Sequence, residues 1–546
     1  MASSELSLSD RLKRAMYLNS VHPHFYVGDP DTYQRELSKL RMTTMKETVK
    51  DNLEELFRVL NMANKDPNLP RRSVMFNFLA KLYLEQFELG AEQKSKVTGR
   101  VLELVQTDEE FFTFIKYYTD ISNKSKIPSS IEKIVRKFYD NKTPMELAES
   151  VSKSNGFKGW LHKDLIKLGH VKSETPLKNA VINYILTKKV SDKATDEELE
   201  VLQVLLKADE LRRSKEPLNA LPIIAAFNFT MEQVSTSLHQ NGDVWSVAIQ
   251  NMTIQQILPR LLKLYKLNLL KPNTTVSNHI IDLFTSLDKV KLSGVHPIEV
   301  FTYLKRLEKG GRPMDVKLVA HLQNDKKFSV EELNKAQTRI EAKPPHIIKA
   351  LWRCFELACS NVIPTNKRYL VTIDVTADAK KFLCLGNKVL TLLEAAVAYA
   401  VVLLRVEKDV VLAAYKDDKI DIINVEKKVS FADLLSKVNP RSSAYSTLFA
   451  GVEWASTEKK HFDVFVSFIH NGHAQKVPKD KTVVKGWEPV IKYRSKVNLP
   501  NAKFVKFAPV QRDVVEIDPP VNILEIFGFD VYACKAAECF CKGTFC

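Results

Sequence analysis

The sequence predicts a two-part fold: an all-helical region over roughly the first two thirds, then a doubly wound α/β domain. Three observations carry this. Helix-start signals and amphipathic runs recur at short intervals up to about residue 360, with no strand-like alternation. The periodicity changes after Pro364. From there, short β-branched and aromatic runs alternate with helix-like runs, the pattern of a mostly parallel sheet covered on both faces.

The chain has 546 residues, too long for a single core. Hydrophobic residues make up 45% and charged residues 27%, an ordinary globular balance. The net charge is +16, and both regions share the excess, which favours polyanions such as nucleic acid or an anionic membrane. Seven cysteines and an N-terminus interrupted by Asp10, Arg11 and Lys13 argue for free thiols in the cytosol or nucleus. Val389 to Val406 is the one long apolar run. Glu394 inside it, and its alanine-rich middle, point to a helix buried beside a sheet and not to a membrane span.

The first 28 residues carry little pattern and read as an N-terminal arm. Helix starts follow as capping boxes, in which a Ser or Thr accepts from the third helical N–H and a Glu reaches back. They are Thr107 with Glu110, Ser129 with Glu132, Thr143 with Glu146, and Ser329 with Glu332. Leu53 to Met62, Val74 to Phe87 and Ile131 to Tyr139 read as amphipathic helices. No fixed-period repeat is present. Many helices with short connections predict stacked antiparallel pairs, as an α-solenoid or an irregular bundle.

Gly159 to His170 reads as a helix with two stripes. Leu161, Leu165 and Leu168 form a buried one. Lys163, Lys167 and His170 form the other, with Lys153 and Lys158 upstream, and could meet a phosphate backbone. Charge pattern alone favours the plainer reading of a solvated face. Trp245 reads as a core anchor, and His296 before Pro297 as a hydrogen-bonded structural histidine.

Past Pro364 the expected elements are strand 369–375, helix 388–408, strands 410–415 and 420–425, helix 430–438, strand 463–468, helix 487–497, and strands 503–508 and 523–527. Strand 369–375 ends in Asp374, Thr376 and Asp378, where open α/β sheets bind ligands and where oxygen ligands could share Mg²⁺. This resembles the D-x-S-x-S metal site of von Willebrand factor A-like domains, with Thr and Asp in place of the two Ser.

The ordered set Gly159-Trp160, His162 to Leu165, Leu168, His170, Val244-Trp245, Met252, Val295-His296-Pro297, Pro364-Thr365 and Lys367-Arg368 leading into Asp374 resembles the Ro autoantigen (TROVE-domain) family. The likeness runs from about residue 29 to 536. It implies a HEAT-like helical-repeat ring, closed by the A-like domain. The domains are then an arm (1–28), the TROVE region (29–362), the A-like domain (363–536) and a cysteine-containing tail (537–546).

The resemblance implies a monomeric ring that binds RNA and no membrane, with protein partners left open. Its hole takes the single-stranded 3′ end of misfolded noncoding RNA, and a Y-type RNA lies on its outer surface. That fits the physics of phosphate-dominated binding. Carried over, Lys153 and His170 coincide with basic positions of the outer surface, a third falls on Phe157 beside Lys158, and Lys163 and Lys167 match cationic positions. The resemblance therefore reverses the plain reading of this face.

The metal site departs further. The later Thr ligand falls among Asn439 to Ser446, where Ser443 or Ser446 replaces it only in part. The final Asp falls on His470, a poor oxygen-ligand substitute. No cofactor is expected, and Asp374, Thr376 and Asp378 read as a degenerate site. Cys534, Cys539, Cys541 and Cys546 lack the paired spacing of structural zinc and read as a loose reduced tail. No nucleotide-binding, metalloprotease or nucleophile motif is present, so no catalytic residues are named. The alternatives are a scaffold whose A-like domain grips a partner carboxylate through a cation, and a nuclease for which only Asp374 and Asp378 speak.

Overall fold

The computed structural model describes residues 6–27, 52–83, 90–122, 129–154, 156–310, 344–470, 486–512, 514–515 and 519–546. The chain forms two compact units. One gathers Leu6–Asn19 with the chain as far as Met252. The other gathers the strand at His24–Tyr26 with Thr253–Cys546.

The first unit is a helical array. Leu53–Lys65 and Ser129–Asp140 realise two of the amphipathic runs, and Ser73–Tyr83 the third as far as Tyr83, its residues 84–87 lying outside the described residues. Apolar side chains at helical spacing bury Leu56, Val59, Leu60 and Ala63 on the first of them. Pro144–Lys153 begins as the sequence predicts: Thr143 Oγ1 accepts from Glu146 N–H at 3.2 Å and Glu146 accepts from Thr143 N–H at 2.8 Å. At Asp108–Ser122 the box is half formed, because the Glu110 carboxylate takes Gln106 N–H and Arg72 instead. Ser329 and Glu332 lie outside the described residues. Helices adjacent in the chain pack together, as Pro176–Thr187 does on Asp196–Arg213 and Pro217–Phe227 on Gly242–Ala248. Trp245 is buried, its indole N–H donating to His239 carbonyl at 3.0 Å.

The second unit is built on a seven-stranded sheet. Its strands are β1 (His24–Tyr26), β2 (Arg368–Ile373), β3 (Asp409–Lys416), β4 (Lys419–Ile423), β5 (Val464–Phe468), β6 (Lys503–Ala508) and β7 (Ile523–Phe527), in the order β1-β7-β6-β5-β2-β3-β4. All pairings are parallel except β3 with β4. The central strands are buried on both faces, which explains their unbroken apolar runs. Helix Leu392–Val406 lies buried along most of its length. Its internal Glu394 is held by Lys309 at 2.6 Å and by a capping box with Thr391. Among the described residues no helix is long and apolar enough to cross a membrane.

Several expectations need correction. Within the expected N-terminal arm, residues 6–27 are described and carry more than an arm: Ser7 caps helix Leu8–Leu18, and His24–Tyr26 adds to the sheet edge beside β7. The cysteine tail is no tail. Helix Val531–Lys542 buries Cys534, Cys539 and Cys541, capped by Asp530 and ended by Gly543 at φ +94°. The C-terminal compact unit also takes in helices Pro297–Lys309 and Pro345–Ala358, which precede the first core strand of the sheet. His296 ties these parts together. Its Nδ1 accepts from Ile298 N–H at 3.1 Å, so the ring proton sits on Nε2 and is donated to Glu538 at 2.9 Å. The helix expected from Lys388 begins at Leu392, after a hairpin of Leu383–Cys384 with Asn387–Thr391.

Candidate nucleic-acid interface

The cationic stretch is a hairpin followed by a short helix. Gly156–Phe157 pairs with Trp160–Leu161 across a two-residue turn, Lys158-Gly159. Both turn residues have positive φ, 53° and 86°, the conformation that matches strand twist in tight hairpins. A Cβ at Gly156 would collide with the Trp160 carbonyl, so that strand needs glycine. Lys158 is thereby presented at the turn tip, exposed, with its ammonium 5.4 Å from the Phe157 ring.

Helix His162–Leu168 follows, three residues shorter at its start and two at its end than the sequence suggests. The expected Leu161, Leu165, Leu168 stripe is therefore wrong. Leu161 lies in the hairpin and is 47% exposed, while His162, Leu165 and Ile166 are the buried residues. Gly169 seats the helix end against Val135, where a Cβ would stand 2.7 Å from the valine methyl. His170 is also misplaced by the helical reading. It takes the left-handed conformation at φ 47° that ends the helix, with Val171 N–H closing onto the Ile166 carbonyl at 3.1 Å.

Lys163 and Lys167 do share a helical face, half-buried and exposed respectively. Lys153 is exposed at the end of the preceding helix, and His170 is exposed past the following turn. The neighbouring helix Ser129–Asp140 adds Lys133, Arg136 and Lys137, all exposed, with Arg136 Nε donating to Gly169 carbonyl at 3.2 Å. Those three stand at i, i+3, i+4 in the sequence, the spacing of one helical face. Among the described residues no ion pair involves Lys133, Lys137, Lys153, Lys158, Lys163 or Lys167, which leaves these charges available to solution.

Beneath this face lies a buried polar anchor that the sequence did not disclose. His162 Nδ1 bonds Tyr139 hydroxyl at 2.9 Å, and Phe112 meets the imidazole edge-on at 4.9 Å. Burial pushes the His162 pKa down to about 4, against partial support from Asp108, with Lys142 lowering it further. Burial also acts to raise Asp108, but its hydrogen bonds to Ser150 and Lys142 hold it below the ordinary carboxylate value. His162 is therefore neutral near pH 7 and fastens the helix without adding charge to it.

The A-like site sits at the topological switch of the sheet, where β2 is flanked by β3 on one side and β5 on the other. Asp374 is buried, and both carboxylate oxygens accept backbone N–H groups, from Thr376 at 2.9 Å and His470 at 2.8 Å. Thr376 Oγ1 caps helix Ala377–Lys381 at Ala379 N–H. Ser443 Oγ is engaged with Asp417 at the β3–β4 turn. His470 supplies an imidazole edge-on to Phe382 where an oxygen ligand would be wanted. Among the described residues no three His, Cys, Asp or Glu side chains gather as a metal site. Both Asp374 oxygens and the Thr376 hydroxyl are thus engaged with backbone N–H groups.

A helical array joined to a von Willebrand factor A-like α/β domain defines the class. The profile described as "Ro60 vWA domain" matches residues 368–541. The RNA-binding protein RO60 of Deinococcus radiodurans is 23% identical over 424 residues, covering 75% of this chain and 71% of its own length. Its namesake in Caenorhabditis elegans is 22% identical over 479 residues, covering 78% and 69%. The crystal structure of the D. radiodurans RO (RSR) protein superposes with a TM-score of 0.79 at 18% identity, over 98% of this chain and all of that one. Residues 368–541 thus match the Ro60 vWA domain, and the chain shares the fold of the D. radiodurans structure.

Proposed function

We propose that this protein is a noncatalytic RNA-binding protein that holds structured noncoding RNA on the cationic face of its helical unit. The observation that carries the reading is the run of cations that make no ion pair among the described residues, Lys153, Lys158, Lys163 and Lys167 with His170 beyond them, in a chain similar over three quarters of its length to proteins named RNA-binding. Phosphate contacts of this kind position an RNA largely without regard to sequence. In the finer form of the proposal, defective small RNAs enter a central hole by a single-stranded 3′ end and a Y-type RNA competes for the outer face. The protein works as a monomer in the reducing cytosol. Asp374 serves here to lock the ends of β2 and β5 together, not to bind a cation that a partner would complete.

The test is a mobility-shift titration of a small hairpin RNA bearing a 3′ single-stranded tail, against the same hairpin without it, with and without chelator. The expected result is tail-dependent, Mg²⁺-independent binding with the RNA recovered intact. Equal binding of both hairpins would remove the hole from the proposal. Cleaved RNA would remove the noncatalytic reading.

A further inference from the structure

In the C-terminal unit, the geometry points to a second binding site, a nucleobase pocket of about 660 Å³ between helices Pro297–Lys309, Pro345–Ala358 and Phe431–Val438. Its size falls within the range of roughly 300–1,000 Å³ typical of small-molecule sites.

One wall is aromatic. Trp352 stacks with Phe431 at 5.4 Å and 28° between planes, and both are braced from behind by Phe301, at 5.9 and 4.8 Å. Phe355 meets Trp352 edge-on at 6.0 Å. This block fixes the ring of Trp352, which is nonetheless only half-buried. A fixed, accessible indole is the platform on which a planar heteroaromatic ring stacks.

The polar lining narrows the ligand. Lys305 pairs with Glu308 at 2.7 Å and Arg405 with Glu356 at 3.0 Å, so two cations and two carboxylates cancel. A phosphate chain gains nothing from such a lining, and the group inside is uncharged. The Arg405 guanidinium lines the pocket beside Glu356. The Asn439 side-chain amide stands exposed at the mouth. A base offers ring nitrogens and carbonyls to the guanidinium, and an edge that an amide reads with paired donor and acceptor. The choice of a nucleobase over another planar ring rests on the RNA-binding reading above; the pocket itself does not.

The full chain is titrated with adenosine, with single-stranded hexa-adenylate and with ribose 5-phosphate, by equilibrium dialysis and tryptophan fluorescence. Adenosine or the oligonucleotide binds saturably, and ribose 5-phosphate does not. Binding of both ligands identifies a pocket that accepts a free nucleoside; binding of the oligonucleotide alone identifies a base presented by a strand. Trp352→Ala weakens binding by about 5- to 150-fold, the range of base–aromatic stacking, while Trp352→Phe retains most of it. Asn439→Ala, at an exposed position, weakens it without touching the core. Lys163→Ala/Lys167→Ala leaves adenosine binding unchanged. No saturable binding of either base-containing ligand, or binding unaltered in both Trp352→Ala and Asn439→Ala, overturns the proposal. If structured RNA still shifts in that case, the RNA-binding reading stands.

Discussion

Removing Lys163 and Lys167 together isolates the electrostatics of the proposed RNA face. Lys167 is exposed and Lys163 half-buried, and neither is in an ion pair among the described residues, so Lys163→Ala/Lys167→Ala strips charge without orphaning a carboxylate. The core of the same helix, Leu165 and Ile166, is untouched. Each lost phosphate contact flattens the slope of log affinity against log salt by about 0.9 for duplex and about 0.7 for single strand. Two contacts therefore remove about 1.4 to 1.8 from the slope, and about 1.4 to 1.8 decades of affinity at 0.1 M salt. Stability should stay within about 0.5 kcal/mol, as for ordinary surface substitutions. Leu165→Ala is the contrasting control, since this fully buried side chain leaves a cavity costing about 2–5 kcal/mol. The assay is a mobility-shift titration with a hairpin RNA at four or five salt concentrations, beside a thermal melt. An unchanged slope in a double variant that melts normally would refute the reasoning and return this face to a solvated helix.

His162 predicts acid sensitivity. The fold accepts only its neutral ring, so the contribution is whole above the ordinary value of 6.5 and is lost as pH falls from there toward about 4. Urea unfolding should show about 2 kcal/mol less stability at pH 5 than at pH 7 from this group, and His162→Gln should flatten that difference; an equally steep decline in His162→Gln would exclude His162 as its source. Lys506 and Glu525 form a fully buried pair at 2.8 Å between β6 and β7, so Lys506→Met should cost about 3–5 kcal/mol by leaving a buried carboxylate. In a double-mutant cycle, Lys506→Met/Glu525→Leu should cost less than the sum of the single changes, and strict additivity would mean the two charges do not interact. Asp374→Ala should leave RNA affinity nearly intact yet lower the melting temperature, because the buried His470 N–H loses its acceptor at about 1–3 kcal/mol and the half-buried Thr376 N–H loses its own. Mg²⁺ should raise the wild-type melting temperature little, and a large Mg²⁺-dependent rise abolished by Asp374→Ala would show that the site binds metal after all.

Local pattern in the sequence determined a good deal. The change of period after Pro364, the parallel strands ending at Ile373, Phe468 and Ala508, and the capping box at Thr143 all depend on neighbours a few residues away. The cations of 153–170 were visible for the same reason, as was the poor ligand set around Asp374. Only the tertiary structure decided the rest. The three-residue strand at His24–Tyr26 carries too little pattern to be seen, and its partner lies about five hundred residues on. Helix Val531–Lys542 is buried on most sides and so shows no polar stripe to mark it. The register of helix His162–Leu168 depends on where a hairpin hands over to it. That handover turns His162 inward and Leu161 outward, an outcome no hydrophobicity ranking predicts, because Tyr139 and Phe112 supply the imidazole with a partner and a place to pack.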